Sequence, residues 1–520
     1  MKLIYKVEDK PKFGSRLVFA FQQLLAIMAA TIAVPAVVGN GMDPAAALFG
    51  AGVGTIVYLL FTKGKSPVFL GSSFAFIPSM AAAFAGAVSM QAGYLGLIIG
   101  AAFAALVYAI ISLIVKLVGV KWIDKLMPAV VIGPTVSIIG LGLAGNAVGD
   151  LTNKTTDAFV SYPYVVCGLV TLIVTMLCSV YSKKIGKLIP FIIGIIAGYA
   201  VASGFTVFGN MNGNDALKLV DFSGMTSLYT NGISLGSFLS LPDLTFLTAW
   251  KGIKDIDLSY ILTIAVAYAP VAFVVFAEHL ADHKNLSSII DRDLLREPGL
   301  SRTLLGDGVG SLASAFFGGC ANTTYGESIA CVAITKNASV STIATTAVMT
   351  ICASFIAPFV AFLKSIPACV MGGVCIALYG FIAVSGLKMI QKVNLNDNKN
   401  LFVVSVILIA GLGGFSLSFG KVTLTNTACA LILGIITNLI LCKGKSEEEE
   451  VVEDDAEAIV VNDAPVEEAV AQEAAVVEET AAEEAAPVEE AAEEVTETAE
   501  TVEETVEAAQ DAAAEATDAE

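Results

Sequence analysis

Apolar runs of about twenty residues recur between positions 17 and 441, and each is long enough to cross a bilayer as a helix. The chain is 56% hydrophobic with mean hydropathy +0.77, far above a soluble domain. The first run, 17–39, follows a polar segment with five basic residues. It is too long for a removed signal peptide and lacks the small-residue cleavage site, so it reads as the first transmembrane helix. Fourteen spans are expected, centred near residues 28, 54, 76, 104, 138, 172, 198, 268, 312, 332, 352, 377, 409 and 432. The third and tenth are short and irregular.

Charge sets the expected orientation. With the N-terminus in the cytoplasm, 23 of the 29 Lys and Arg residues fall in inside segments. Only Lys154, Lys218, Lys251, Lys254, Lys364 and Lys421 fall outside. This is the bias that positive charge shows toward the cytoplasmic side. The largest outside segment, about 209–257, is polar and is expected to re-enter or to lie on the surface. The net charge of −19 comes from one place: residues 446–520 hold 29 of the 48 Asp and Glu and no Lys or Arg. The body, 1–445, is therefore +10. The Glu-, Ala-, Val- and Thr-rich tail cannot bury a core and is expected to be disordered or transiently helical, on the cytoplasmic side.

Half of the chain repeats the other half. The fifth span begins PAVVIG at Pro128 and the twelfth PACVMG at Pro367, an offset of 239. The first and eighth spans each carry an internal proline, Pro35 and Pro270, and the third and tenth are both interrupted. A displacement of seven spans is odd, so the second copy is inverted in the membrane. Inverted repeats with broken helices at matching positions mark secondary transporters, and the breaks point to the binding site. The broken segments are FLGSSFAFIP (69–78) and CANTTYGESIA (320–330). Non-helical backbone at membrane depth is tolerated only inside protein or along a cavity, and a half-helix starting after each break aims free N–H groups at a ligand.

Two carboxylates fall in these apolar surroundings. Glu278 ends the run ILTIAVAYAPVAFVVFAE (261–278), and Glu327 sits in the second broken segment. A carboxylate in hydrocarbon is costly and is kept for a substrate site, an ion path or a proton relay. Two acceptor carboxylates beside free N–H donors suit a small planar ligand whose edge alternates N–H and C=O. A nucleobase fits; sugars and amino acids fit less well. No cationic residue accompanies the pair in the sequence, which argues against an anionic ligand. A desolvated carboxyl group favours its protonated form, which makes proton coupling natural.

FLGSSFAFIP, FAEH (276–279), DLLREPGL (293–300), NTTYGESIACVAITK (322–336) and MGGVCIALYG (371–380) together resemble the uracil branch of the nucleobase–ascorbate transporter family, nucleobase:cation symporter-2, over about 1–445. The resemblance implies an all-α membrane protein of fourteen spans in a seven-plus-seven inverted repeat. A core domain (spans 1–4 and 8–11), with short irregular or β stretches in spans 3 and 10, holds the site. A gate domain (spans 5–7 and 12–14) moves against it and forms a homodimer. It also implies uracil uptake with protons across the cell membrane. Matched by motif, Glu278 and Glu327 bind the base through carboxylates, Phe74 and Gly326 through backbone amides, and Ala30 through a backbone contact, with Tyr325 packing nearby. The proton-coupling candidates are Glu278, Asp282, Glu327 and His283.

Three departures from the family pattern stand out. The signature Glu-Asn-x-Gly-x4-Thr-basic reads Glu327-Ser328-Ile329-Ala330, then Thr335-Lys336. The first span has Gln22-Gln23 where relatives often show Gln-His. Asp282 holds a place, four residues after Glu278, where a His can stand. Asp282 is either a relay carboxylate or an exposed helix-end residue.

Other readings are weaker. Gly140, Gly142 and Gly145 fit G-x-G-x-x-G, but inside a span and without a βαβ unit, so helix packing explains them better. His279 and His283 lack a third ligand for a metal and are expected at the cytoplasmic end of the eighth span. Asp307 is read as structural in preference to a proton-path carboxylate. Nine cysteines in or beside apolar runs read as small hydrophobes. No cofactor, metal or nucleic acid is expected. No nucleophile–base pair points to an enzyme. A purine or xanthine permease, a channel, or an anion exchanger of related fold are the alternatives.

Overall fold

Apolar sequence and internally satisfied backbone make this a helical membrane protein. The computed structural model describes residues 3–152, 158–183, 185–230, 232–419 and 422–441. The acidic tail, 446–520, lies outside the described residues, as do Lys2, Lys154, Lys184, Lys421, Lys443 and Lys445 of the charge pattern.

The first half holds α1 (Phe13–Val38), α2 (Pro44–Phe61), β1 (Leu70–Ser72), α3 (Ile77–Ala85), α4 (Met90–Val118), α5 (Lys121–Leu126), α6 (Ala129–Gly142), α7 (Ala144–Leu151), α8 (Ala158–Tyr181), α9 (Ile185–Leu188) and α10 (Pro190–Asn212). Two short helices, α11 (Ser223–Ser227) and α12 (Thr245–Ala249), lie in the connecting segment. The second half holds α13 (Leu258–Ile290), α14 (Leu300–Gly318), β2 (Asn322–Thr324), α15 (Gly326–Thr335), α16 (Val340–Ala353), α17 (Ala357–Ser365), α18 (Ala368–Ile390), α19 (Asn398–Leu412), the hairpin strands β3 (Leu417–Phe419) and β4 (Val422–Leu424), and α20 (Asn426–Leu441). Among the described residues, eight helices are long and apolar enough to cross a membrane, and five shorter apolar helices accompany them.

Local chemistry places the helix starts. Asp43 caps α2, its Oδ1 accepting from Ala45 N at 3.1 Å, with Pro44 at the first helical position, where a missing N–H costs nothing. Pro128 and Pro367, the residues that revealed the repeat, both stand in extended backbone immediately before a helix, α6 and α18. The connecting segment is not detached: Thr245 and Ala249 of α12 are buried, and α12 packs on α4.

Glycine sets the closest helix crossings. A Cβ on Gly54 of α2 would lie 2.6 Å from the carbonyl oxygen of Gly310 in α14, and one on Gly310 would lie 2.7 Å from that of Gly54. Gly133 of α6 and Gly386 of α18 oppose each other in the same reciprocal way. Small residues let backbones approach where lipid offers no hydrophobic drive between helices. Gly140 also meets the α18 backbone, at Tyr379 and Ala383, whereas Gly142 and Gly145 have nothing within 4 Å of an added Cβ. Only the first glycine of that run therefore acts in packing. Gly310→Leu is expected to lose at least about 1–3 kcal/mol, because the obstacle is main chain. Thermal melting in detergent checks this, and a wild-type transition would show that the crossing has room.

The N-terminal segment is laced to the α15–α16 connection. Ile4 N donates to Lys336 O at 2.8 Å, Ala338 N to Tyr5 O at 2.9 Å and Val340 N to Val7 O at 3.0 Å. Arg292 pairs with Glu8 and Glu297, and Lys65 pairs with Glu297. The Arg292 guanidinium holds the Glu8 carboxyl below its usual range, and Lys65 and then Arg292 do the same to Glu297. Glu8 and Glu297 are well exposed, so these pairs add little beside the backbone bonds.

Candidate functional site

The two broken segments meet. β1 and β2 pair antiparallel, Leu70 opposite Thr324, Gly71 opposite Thr323 and Ser72 opposite Asn322. Gly71 is required there, because a Cβ would run into the Tyr325 ring, and the Tyr325 hydroxyl donates to Ser72 O at 2.8 Å. A 3-10 turn, Phe74–Phe76, leads from β1 into α3, and α15 starts two residues after β2. Neither start is closed by a side-chain cap from Ser73 or Tyr325. Neither residue's side chain therefore takes up the first N–H groups of the turn it precedes.

A cavity of about 360 Å³ opens at this crossing, within the range of small-molecule sites. Phe74, Glu278, Asp282, Tyr325, Gly326 and Glu327 line it. Glu278 and Asp282, four apart on α13, share a helical face. Glu327 occupies the first turn of α15, where a helix end favours negative charge. All three carboxylates are partly accessible because they face the cavity. Thr323 and Thr324 join the wall, and Thr324 Oγ1 donates to Asp282 Oδ2 at 2.6 Å. The facing wall is largely apolar, with Val136 from α6, Phe191 from α10, and Leu378 and Phe381 from α18. Phe74 packs edge-on against Tyr379 of α18, centroids 5.7 Å apart. The cavity thus sets carboxylate acceptors beside two helix starts and opposite an apolar wall.

The family model described as "Permease family" matches residues 14–418. The chain belongs to this permease family. Among its relatives, the uracil permease of Bacillus caldolyticus is 39% identical over 444 residues, 85% of this chain and 95% of that protein. The uracil permease of Bacillus subtilis (strain 168) is 38% identical over 450 residues, 85% of this chain and 96% of that protein. Among solved structures, the transmembrane domain of a cyanobacterium bicarbonate transporter, BicA, superposes with a TM-score of 0.55 at 16% identity, covering 84% of this chain and all of that one. That likeness speaks for the fold alone.

The permease brings together most of the residues singled out by sequence. Ala30 is the exception among the expected substrate contacts: it is buried in α1, and Ala26, one turn earlier, lines the cavity. His283 does not reach the cavity either, and the two histidines are not exposed at a helix end. α13 continues to Ile290, and the helical turn rotates positions 279 and 283 away from the face of Glu278 and Asp282. His279 Nδ1 lies 2.7 Å from Asp307 Oδ2, and its Nε2 lies 3.0 Å from Thr303 Oγ1. His283 Nδ1 donates to His279 O at 2.8 Å, and its Nε2 lies 2.8 Å from the Tyr58 hydroxyl. All four ring nitrogens have protein partners, so neither histidine offers a metal a free nitrogen. Asp307 is fully buried beside His279, off the cavity wall.

Sequence reasoning missed other wall residues. Lys187, in α9, is exposed and lines the cavity, so the site is not without a cation as the sequence suggested. Its distance along the chain from both glutamates hid it. Thr323 and Thr324 carried a visible signal, lying within the second broken segment. Two of the departures from the family pattern touch each other: Gln23 of α1 hydrogen-bonds Ser328 of α15.

Proposed function

We propose that this permease imports uracil across the cytoplasmic membrane by proton symport. The observation that carries the reading is one cavity lined by two carboxylates, Glu278 and Glu327, at the crossing of two broken segments whose helix starts lack caps. The uracil permeases that are 38–39% identical over 85% of this chain are the second support. Glu278 and Glu327 accept from the ring N–H groups. The backbone N–H groups of Phe74 and Gly326 donate to the ring carbonyls, and Tyr325 and Phe74 bound the ring. Protons enter through the carboxylate set Glu278, Asp282 and Glu327.

The architecture that serves this function has fourteen spans in an inverted seven-plus-seven repeat, with both termini cytoplasmic. In it the helices α1–α4 and α13–α16 form the core that holds the site. The helices α6–α10 and α18–α20 form the gate, through which two copies associate. The reciprocal glycine pairs support the repeat, since Gly54–Gly310 joins spans 2 and 9 and Gly133–Gly386 joins spans 5 and 12. The cavity lining includes Lys187 and Met389, which the charge pattern assigns to the cytoplasmic side, as an inward-open state requires.

Uptake of labelled uracil, competed by thymine, 5-fluorouracil, xanthine and adenine, tests the substrate. Competition by the pyrimidines alone is expected. Displacement by xanthine or adenine with no effect of pyrimidines would move the chain to a purine permease.

A further inference from the structure

The turn that carries Gly326 and Glu327 is held from outside the cavity by one buried hydroxyl. Ser328 Oγ accepts from Gln23 Nε2 at 2.5 Å and from Phe69 N at 3.1 Å. Gln23 Nε2 also lies 3.3 Å from Ser328 O, and a carbonyl only accepts, which fixes the amide with its nitrogen toward Ser328. Phe69, the residue before β1, uses its other main-chain group as well: Tyr325 N donates to Phe69 O at 3.2 Å. The main chain of Phe69 therefore grips the turn at Tyr325 and at Ser328. The two residues between those grips, Gly326 and Glu327, are cavity-lining. Gln23 ties the same hydroxyl to α1, three residues before Ala26 of the cavity wall. Gln23 and Ser328 are almost fully buried, at 3% and 0% exposure, and neither lines the cavity.

We propose that Gln23 and Ser328 are positioning residues of the substrate site: through the Ser328 hydroxyl they lock α1, the approach to β1 and the first turn of α15 together, and so set where Glu327 and the Gly326 amide meet the base. This rests on the uracil-transport reading. The geometry calls for a lock. Productive binding needs donors and acceptors held to within about half an ångström by residues whose own positions are fixed behind them. A helix start without its own cap cannot supply that alone. Three hydrogen bonds from two other elements supply it here. Because the lock touches the site only through orientation, removing it weakens binding and leaves the translocation machinery intact.

A double-mutant cycle on the full-length protein in membranes tests this, with uracil uptake measured over a range of concentrations. Ser328→Ala and Gln23→Leu are each expected to raise KM for uracil about tenfold, with Vmax per membrane-inserted protein within about twofold of wild type. The double variant is expected to be no worse than the worse single, because both remove the same junction. Ser328→Cys keeps the volume and removes a good acceptor, and it decides the matter if the alanine variant does not reach the membrane; it too is expected to raise KM. Unchanged KM in Ser328→Cys, a fall in Vmax alone, or a double variant about a hundredfold worse would overturn the lock. Failure of the uracil reading appears separately, as absence of uracil uptake by the wild type. The cycle is then read with whichever base the wild type transports, and the same three results overturn it.

Discussion

Glu278→Gln and Glu327→Gln are each expected to abolish uracil accumulation while the protein still reaches the membrane. Each change is nearly isosteric and swaps an anionic acceptor for a neutral amide. A hydrogen bond to a charged group is worth about 1.5–3 kcal/mol, so affinity falls by roughly tenfold to more than a hundredfold. A glutamine that turns its NH2 toward a ring N–H adds an unsatisfied donor pair to that loss. Both glutamates line the same cavity, one on the continuous helix α13 and one on the first turn of α15, so neither can stand in for the other. Uptake assays with immunodetection of the membrane fraction check this, and normal uptake by either variant removes that residue from the site.

Asp282→Asn is expected to separate binding from coupling. Asp282 lies one turn from Glu278 on the same face and lines the cavity, held by Thr324 Oγ1 at 2.6 Å. It is not an exposed helix-end residue, since α13 runs eight residues further, to Ile290. Asparagine keeps an acceptor for Thr324 and loses the titratable group. Uracil binding is then expected to stay close to wild type. Steady-state accumulation loses about tenfold for each pH unit of imposed gradient per coupled proton, and its pH profile shifts. Asp282→His is expected to restore coupling, because imidazole titrates across the working range. An Asp282→Asn variant that accumulates uracil like wild type from about pH 5.5 to 8 leaves the proton to Glu278 and Glu327 alone.

The parts of this molecule that were legible in sequence are those governed by local cost. Long apolar runs announce helices because the backbone has no other partner in lipid. Glu278 and Glu327 announce a site because their burial is expensive. The breaks at 69–78 and 320–330 announce the crossing because Gly, Ser, Thr and Asn interrupt otherwise apolar runs, and the pairing of β1 with β2 follows from both breaks reaching the same depth. Long-range contacts were not legible. The partners of His279 and His283, namely Asp307 and Thr303 on α14 and Tyr58 on α2, come from other helices, so the histidines looked like a pair at the cytoplasmic end of a span. Lys187 reaches the cavity from a four-residue helix, and nothing in its neighbourhood marks it. Ala26 and Ala30 share one helical face, and of the two it is Ala26 that lines the cavity. The Gly54 and Gly310 crossing did carry a signal, small residues four apart (Gly50 and Gly54; Gly306 and Gly310), which a reading for spans alone passes over.

Proton-driven passage of uracil through the cavity of Glu278 and Glu327 is tested by uptake of labelled uracil into proteoliposomes under an imposed inward proton gradient, with and without a protonophore. Saturable accumulation above the external concentration is predicted, collapsing when the protonophore is added. Accumulation that survives the protonophore and follows sodium, or no uracil uptake under either gradient, would contradict it.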